Sequence, residues 1–463
     1  MFSKAIYQQR RNELKTKITD GILLFLGNVE MPMNFADNPF PFRQDSSFLY
    51  YFGIQEPRLA AVIDTEEDET ILFGNELSIN DIIWMGRQET LKSKAEKSGI
   101  TEIRPFWKLS EYIKTEKNKG RRIHFLPTYF AENSNLINQL LDAKKGENEA
   151  SVELINAVVA QRSRKHPEEI EEIEKAVNIS NAMHLLAIRT AKPGMKEYEL
   201  VSIIEKFAAD NNCTFSYPAI LTIHGEILHN HYRLNTMKIG DLLLNDSGVE
   251  TTMGYAGDLT RTFPVDKKFT SRQREMYNVV LNAFEAAQAI MKPGLNFREV
   301  HRKAAMVLVE GLMGMGLLKG NPEEAVAQNV HTLFFQCGVG HMMGLDVHDM
   351  ESLGEEYVGY TPEEPKDTQT FGWKSLRLGR PLEEGFVVTV EPGIYIIPEL
   401  IDLWQKENKL SDFVNYDKIN AFRDFGGIRI EDNFLITKDG YRRLGDGLIK
   451  TANEVEAARE QAF

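Results

Sequence analysis

Short apolar runs alternate with mixed stretches over the first 150 residues. Gly21 to Leu26, Ala60 to Asp64, Thr70 to Phe73 and Arg122 to Leu126 each have the length and side-chain content of a buried strand. Helical stretches separate them, so this part reads as a small α/β domain. The charged, weakly apolar joint Ala143-Lys144-Lys145-Gly146-Glu147-Asn148-Glu149-Ala150 follows, and a long acidic helix is predicted from Pro167. Its Glu168, Glu169, Glu171, Glu172 and Glu174 read as a solvated face and a helix start rather than a metal cluster. The expected domains are residues 1–155 and 160–463.

The second part contains an internal repeat. Lys192-Pro193-Gly194-Met195 followed by Glu199-Leu200 recurs as Lys292-Pro293-Gly294-Leu295 followed by Glu299-Val300, each between two helical patterns. A recurrent helix-to-helix turn would account for Pro-Gly alone, whereas the flanking matches favour a duplicated unit.

Within this part, several apolar runs end on a carboxylate. Leu242-Leu243-Leu244-Asn245-Asp246 reads as a buried strand that delivers Asp246 just before the turn at Ser247-Gly248, and a charge in such a place needs a partner. A second strand, Gly254 to Pro264, carries Asp258, so the two carboxylates are expected side by side with a cation or proton between them. In Val387-Val388-Thr389-Val390-Glu391-Pro392-Gly393 the proline holds Glu391 extended, and Pro-Gly turns the chain straight after it. Gly427-Ile428-Arg429-Ile430-Glu431 alternates, placing Arg429 and Glu431 on one face. The glycine-studded stretch Cys337 to Asp349 carries His341 and His348 and lets the backbone pass close to a buried centre. Asp246, Asp258, His341, Glu391 and Glu431 together form a hard, oxygen-rich donor set suited to two divalent ions, Mn²⁺ foremost. Such a pair acidifies a shared water and polarises a scissile carbonyl, which points to metal-assisted hydrolysis.

Composition narrows the setting. With 54 basic and 68 acidic residues, the net charge of −14 argues against broad phosphate-backbone binding. Two cysteines, Cys213 and Cys337, make a disulfide framework an unlikely design and a reducing, cytoplasmic compartment the expectation. No apolar run approaches the roughly 20 residues needed to span a bilayer, and the first residues lack a signal-peptide core.

The phrases GYAGDLTRTFP, GHMMGLDVHD, TVEPGIYI and FGGIRIEDN stand in one order across residues 254 to 433. They resemble those of the pita-bread metallopeptidases, in the proline-specific branch that contains aminopeptidase P and prolidase. The resemblance is close over about residues 160–450 and looser before that. It implies an α+β fold, with pseudo-twofold duplicated helices over a curved antiparallel sheet behind a smaller amino-terminal α/β domain. It also implies that Asp246 chelates one ion, Asp258 and Glu431 bridge two, His341 ligates one, and Glu391 ligates and handles the water's proton. His229 matches a histidine that contacts substrate past the scissile bond, His348 one that stabilises the tetrahedral intermediate, and Arg429 an arginine that braces the metal carboxylates. Trp84 matches a position that in relatives approaches a neighbouring subunit's active site, with ordinary interface or core packing as the plainer reading.

Cys337 departs from the family, where histidine is usual. Phe42 to Tyr50 looks like aminopeptidase P. The longer connection from Met350 to Glu384 looks like prolidase, and its Arg377 matches an arginine that grips a substrate's terminal carboxylate. The expected activity is an Xaa-Pro aminopeptidase acting on peptides with proline second. A strict Xaa-Pro dipeptidase is the alternative, and a non-catalytic binding module stands behind both. By the same resemblance the chain is expected to form a homo-oligomer, a dimer or a tetramer.

Overall fold

The computed structural model describes residues 1–142 and 149–463, so most of the expected joint at 143–150 lies outside the described residues. The chain divides into two compact units, Met1–Ser163 with Met350–Val358, and Arg164–Asp349 with Gly359–Phe463. The break expected at 155–160 falls inside the helix Val152–Arg162, which belongs to the first unit; its Leu154, Ile155, Val158 and Val159 are buried.

The first unit is built on five strands, β1 (Ile22–Leu26), β2 (Ala60–Asp64), β3 (Glu69–Phe73), β4 (Glu102–Arg104) and β5 (Ile123–Phe125), in the order β4-β3-β2-β1-β5. The pairs β1/β5 and β3/β4 are parallel and the others antiparallel. Strand β4 escapes sequence reading because Glu102-Ile103-Arg104 offers one apolar side chain to either face. Alternate residues Ile22, Leu24, Val62, Ile71 and Phe73 form the core of one face with Leu109, Ile113 and Ile137 from helices.

The second unit carries two helix pairs, Pro167–Thr190 with Glu197–Asp210 and Ser271–Ala289 with Phe297–Gly314. The repeat seen in the sequence recurs bond for bond at their turns. The Gly194 N–H donates to Met237 O and Gly294 N–H to Leu382 O, both at 2.8 Å. Met195 N–H donates to Lys192 O and Leu295 N–H to Lys292 O, both at 3.2 Å. Each Pro-Gly turn thus ties down a strand-like crossing, 235–237 or 380–382. Gly194 and Gly294 sit at φ 93° and 84°, in the region other side chains avoid, which accounts for the shared glycine. In the long acidic helix Glu169 departs from the expected solvated face: it is buried, caps the His166 N–H at 3.0 Å, and accepts from the Tyr255 hydroxyl at 3.0 Å.

The second unit also carries short antiparallel strands: β6 (Thr214–Phe215), β7 (Ile220–Thr222), β8 (Leu242–Asp246), β9 (Val249–Glu250), β10 (Thr260–Pro264), β11 (Val387–Val390), β12 (Gly393–Tyr395), β13 (Gly427–Arg429), β14 (Asp432–Ile436) and β15 (Tyr441–Arg443). They pair as β10-β8-β7, β11-β14-β15, β12-β13 and β6-β9. An isolated bridge from Thr260 to Glu431 joins β10 to the chain between β13 and β14, and one from Met342 to Val388 ties the loop that carries His341 to β11. Among the described residues, no helix is long and apolar enough to cross a membrane.

Candidate active site

Asp246 is the last residue of β8, flanked in register by Ile220 of β7 and Thr260 of β10. Asp258 sits two residues ahead of β10 rather than within a strand. Asn433 fixes it there, its amide donating to Asp258 O at 2.6 Å and its carbonyl accepting from Asp258 N at 3.2 Å. Glu391 follows β11 at the Pro-Gly turn, as its sequence suggests. Glu431 follows β13, its N–H on Thr260 O at 3.1 Å. His341 reaches the same place because Gly340 passes tight against β11: a Cβ there would lie 2.1 Å from Thr389 O. The buried ion pair of Lys165 and Asp349, at 2.7 Å, anchors the far end of the two-histidine loop.

All five side chains line one cavity of about 220 Å³, together with His229, His231, His348, Cys337 and Arg429. Ligand atoms of Asp258, His341 and Glu431 all lie within 4.8 Å of one another. His341 Nε2 is 3.3 Å from Asp258 and 3.5 Å from Glu391. Its Nδ1 lies 3.0 Å from Met342 O, and a proton there donates to that carbonyl. Nε2 therefore faces two carboxylates, donating a proton to them or, with a cation between them, turning its lone pair to the ion. Arg429 is ion-paired with Asp246, donates to Tyr395 Oη at 2.8 Å and to Thr260 Oγ1 at 3.1 Å, and Thr260 in turn donates to Glu431 at 2.7 Å. The other oxygen of Glu431, Oε1, is buried and has no hydrogen-bond partner among the described residues.

Four carboxylates face one permanent cation, and burial raises the pKa values further. Burial pushes Glu391 up to about 7 against the pull of His341 and Arg429, with Asp258 and Asp246 adding repulsion. Glu431 is driven well above the usual carboxylate range by burial and its acidic neighbours. Burial also raises Asp246, despite Arg429. Asp258 is held low even though burial opposes it, because His341 and Tyr217 hydrogen-bond to it. A site that packs four acids around an unpartnered carboxylate oxygen fits divalent ions: two of them bring four positive charges to four carboxylates.

The structure adds residues that sequence reading passed over. The Tyr217 hydroxyl bridges Asp246 and Asp258. It lies between β6 and β7 in Phe215-Ser216-Tyr217-Pro218, a segment with no charge or spacing to announce it. Thr260 donates to Glu431, Tyr395 accepts from Arg429, and Asn433 holds the Asp258 backbone, so neutral groups also fix the site. His348 stacks edge-on against His341 with ring centroids 4.3 Å apart. His229 also lines the cavity, its pKa lowered by burial and by the charges of Arg429 and Arg377. Arg377 is not a lining residue of the cavity, yet its charge is felt at His229. Cys337 lines the cavity with its Sγ 3.8 Å from Tyr395 Oη, and burial beside Glu391 pushes its thiol up to about 12. It is thus a neutral, weakly donating group.

Residues 171–438 match the model of metallopeptidase family M24, and residues 7–124 that of the aminopeptidase P N-terminal domain. The Xaa-Pro aminopeptidase of Escherichia coli strain K12 is 32% identical over 470 residues, covering 98% of this chain and 97% of its own length. The Xaa-Pro dipeptidase of Homo sapiens is 30% identical over 455 residues, covering 94% and 88%. The solved structure of E. coli aminopeptidase P with the inhibitor Pro-Leu superposes with a TM-score of 0.83 at 32% identity, covering 100% of this chain and 99% of the other.

Proposed function

Since the chain belongs to metallopeptidase family M24, we propose that it is a metal-dependent Xaa-Pro aminopeptidase, which removes the first residue of peptides with proline second. The convergence of Asp246, Asp258, His341, Glu391 and Glu431 in one cavity is the observation that carries this reading. These five would hold two divalent ions, and the hard oxygen donors favour Mn²⁺. When bound, the ions supply Lewis acidity and lower the pKa of a coordinated water.

The protein's own groups do the rest. Glu391 takes a proton from the water and passes it to the leaving proline nitrogen. His348, at the cavity wall, donates a hydrogen bond where negative charge develops on the scissile carbonyl oxygen. His229, which lines the same cavity, contacts the peptide beyond the scissile bond. Arg429 braces Asp246 and, through Thr260, Glu431, so the carboxylates keep their geometry when substrate enters. The strongly exposed Ile79, Ile83 and Trp84 (73%, 71% and 80%) belong to no core and offer a surface for a homo-oligomer. The free cysteines suit a cytoplasmic enzyme.

A second reading, a strict Xaa-Pro dipeptidase, is favoured by Arg377, whose charge reaches His229 and which could grip the carboxylate of a free proline. Mass spectrometry of an Xaa-Pro dipeptide and the same sequence extended by two residues, each with Mn²⁺ and with chelator, separates the two. Metal-dependent release of the first residue from the longer peptide is expected. Cleavage of the dipeptide alone would make the chain a dipeptidase, and cleavage of neither would leave a binding module.

A further inference from the structure

The segment that carries Arg377 follows a route whose fixed points are visible. From Thr361 to Phe371 every residue is partly or fully exposed. Glu364 tethers this crossing by accepting from Asn296 at 2.9 Å and Arg298 at 3.2 Å. The next anchor is Trp373. Its indole N–H donates to Asn329 Oδ1 at 2.7 Å, and its ring stands edge-on to His301 with centroids 4.7 Å apart. The Arg302 guanidinium lies over the same ring at 5.5 Å. His301 and Arg302 belong to the helix Phe297–Gly314 of the second repeat, so Trp373 is docked on a rigid element.

From Trp373 the chain makes a single 3₁₀ turn, Trp373–Ser375, closed by Leu376 N–H on Trp373 O at 3.0 Å. Leu376 is buried, accepts from the Tyr360 hydroxyl at 2.6 Å, and presses so close to the cavity rim that a Cβ on Gly338 would come within 2.9 Å of its Cα. Arg377 follows directly. Trp373, tied by its N–H and its ring four residues upstream, fixes one end of the backbone from which this guanidinium starts, and Tyr360 on Leu376 and Gly359 against the Arg377 carbonyl fix the other.

We propose that Trp373 is a positioning residue for Arg377, and that its docking on Asn329, His301 and Arg302 tunes the preference for substrates whose carboxylate directly follows proline. This rests on the reading of Arg377 as a carboxylate clamp. The indole is well suited to the task, because it combines a large rigid contact area with one directional donor. The neighbouring cavity of about 550 Å³, lined by Arg302, Asn329 and Trp373, leaves room for the ring to leave its seat once the N–H bond is lost.

The test compares steady-state cleavage of an Xaa-Pro dipeptide with that of its C-terminal amide in wild type, Trp373→Phe, Trp373→Ala, Asn329→Ala and Arg377→Met, all with Mn²⁺. Loss of a charge-assisted contact is worth roughly tenfold. Trp373→Ala is therefore expected to raise KM for the acid by about that factor, with kcat nearly unchanged and the amide unaffected. Trp373→Phe and Asn329→Ala, which keep most of the packing, shift the same ratio less, and they carry the test should the alanine variant fail to fold. Equal losses on acid and amide would reduce Trp373 to general packing and overturn the proposal. A ratio that moves in Arg377→Met and stays put in every Trp373 and Asn329 variant would also overturn it while sparing the clamp. An unchanged ratio in Arg377→Met would remove the clamp reading itself, and the proposal with it.

Discussion

Replacing Glu391 with glutamine is expected to leave a folded protein whose kcat is lower by about 10³-fold, within the range for losing a general acid–base group. The amide is nearly the same size, and it can still sit 3.5 Å from His341 and beside Thr389. What it cannot do is accept a proton or contribute a full negative charge to a bound cation. In the wild type, burial has already moved Glu391 up to about 7, so it is poised to exchange protons near neutral pH. The substitution also removes one charge from a crowd of four carboxylates. The metal-free variant should therefore melt no lower than the metal-free wild type, which thermal denaturation checks alongside the kinetics. A low kcat with an intact melting transition assigns the loss to chemistry.

Stripping the metals from the wild type is expected to abolish peptide cleavage and to make stability fall as pH rises from about 4.5 to 7. The sign follows from Glu391. Its folded pKa, about 7, lies above the ordinary carboxylate value of 4.5. Between these values the folded protein holds a proton that the unfolded chain has lost, so stability is present at the acid end and is lost as pH climbs through the folded pKa. At 1.36 kcal/mol per unit the Glu391 contribution is about 3 kcal/mol; raised Glu431 and Asp246 act in the same direction. Buried neutral histidines oppose this trend: burial lowers His184 and His331 to about 4, which favours the fold as pH rises through 6.5. They are common to both forms, so the difference between metal-loaded and metal-free melting curves isolates the five ligands. Among these, His341, which burial lowers but Asp258 and Glu391 raise overall, acts in the same direction as Glu391. That difference should widen with pH. Tight binding at a thousandfold excess over Kd adds about 4 kcal/mol to the loaded form.

Much of this site was open to sequence reading because its ligands depend on local backbone signals. Glu391 needs an extended residue followed by a turn, and Val-Glu-Pro-Gly spells that out; Asp246 ends an apolar run in the same way. The repeat at Lys-Pro-Gly is equally local, since a positive φ and a helix start are both written in a few residues. Groups that act across the chain were hidden. Tyr217 bridges two aspartates 29 and 41 residues away, and nothing in a neutral tyrosine forecasts that partner. Glu169 looked like part of a solvated acidic face because helix periodicity does not reveal that Tyr255 would cover it. The point of division after Ser163 is not legible for a related reason: Val152–Arg162 is apolar on too many sides to show which core it joins. Trp373, an aromatic in an otherwise exposed crossing, gains meaning only once Asn329 and His301 are seen beneath it.

One titration tests the two-metal site most directly. Metal-free protein is titrated with Mn²⁺ while mass spectrometry follows release of the first residue from an Xaa-Pro-initiated tetrapeptide. Activity should be absent without metal, rise with added ion and level off at two ions per chain, the number that balances four carboxylates. Cleavage that persists in the metal-free protein, or Mn²⁺ binding at two ions per chain without any cleavage, would contradict the proposed metal-dependent activity.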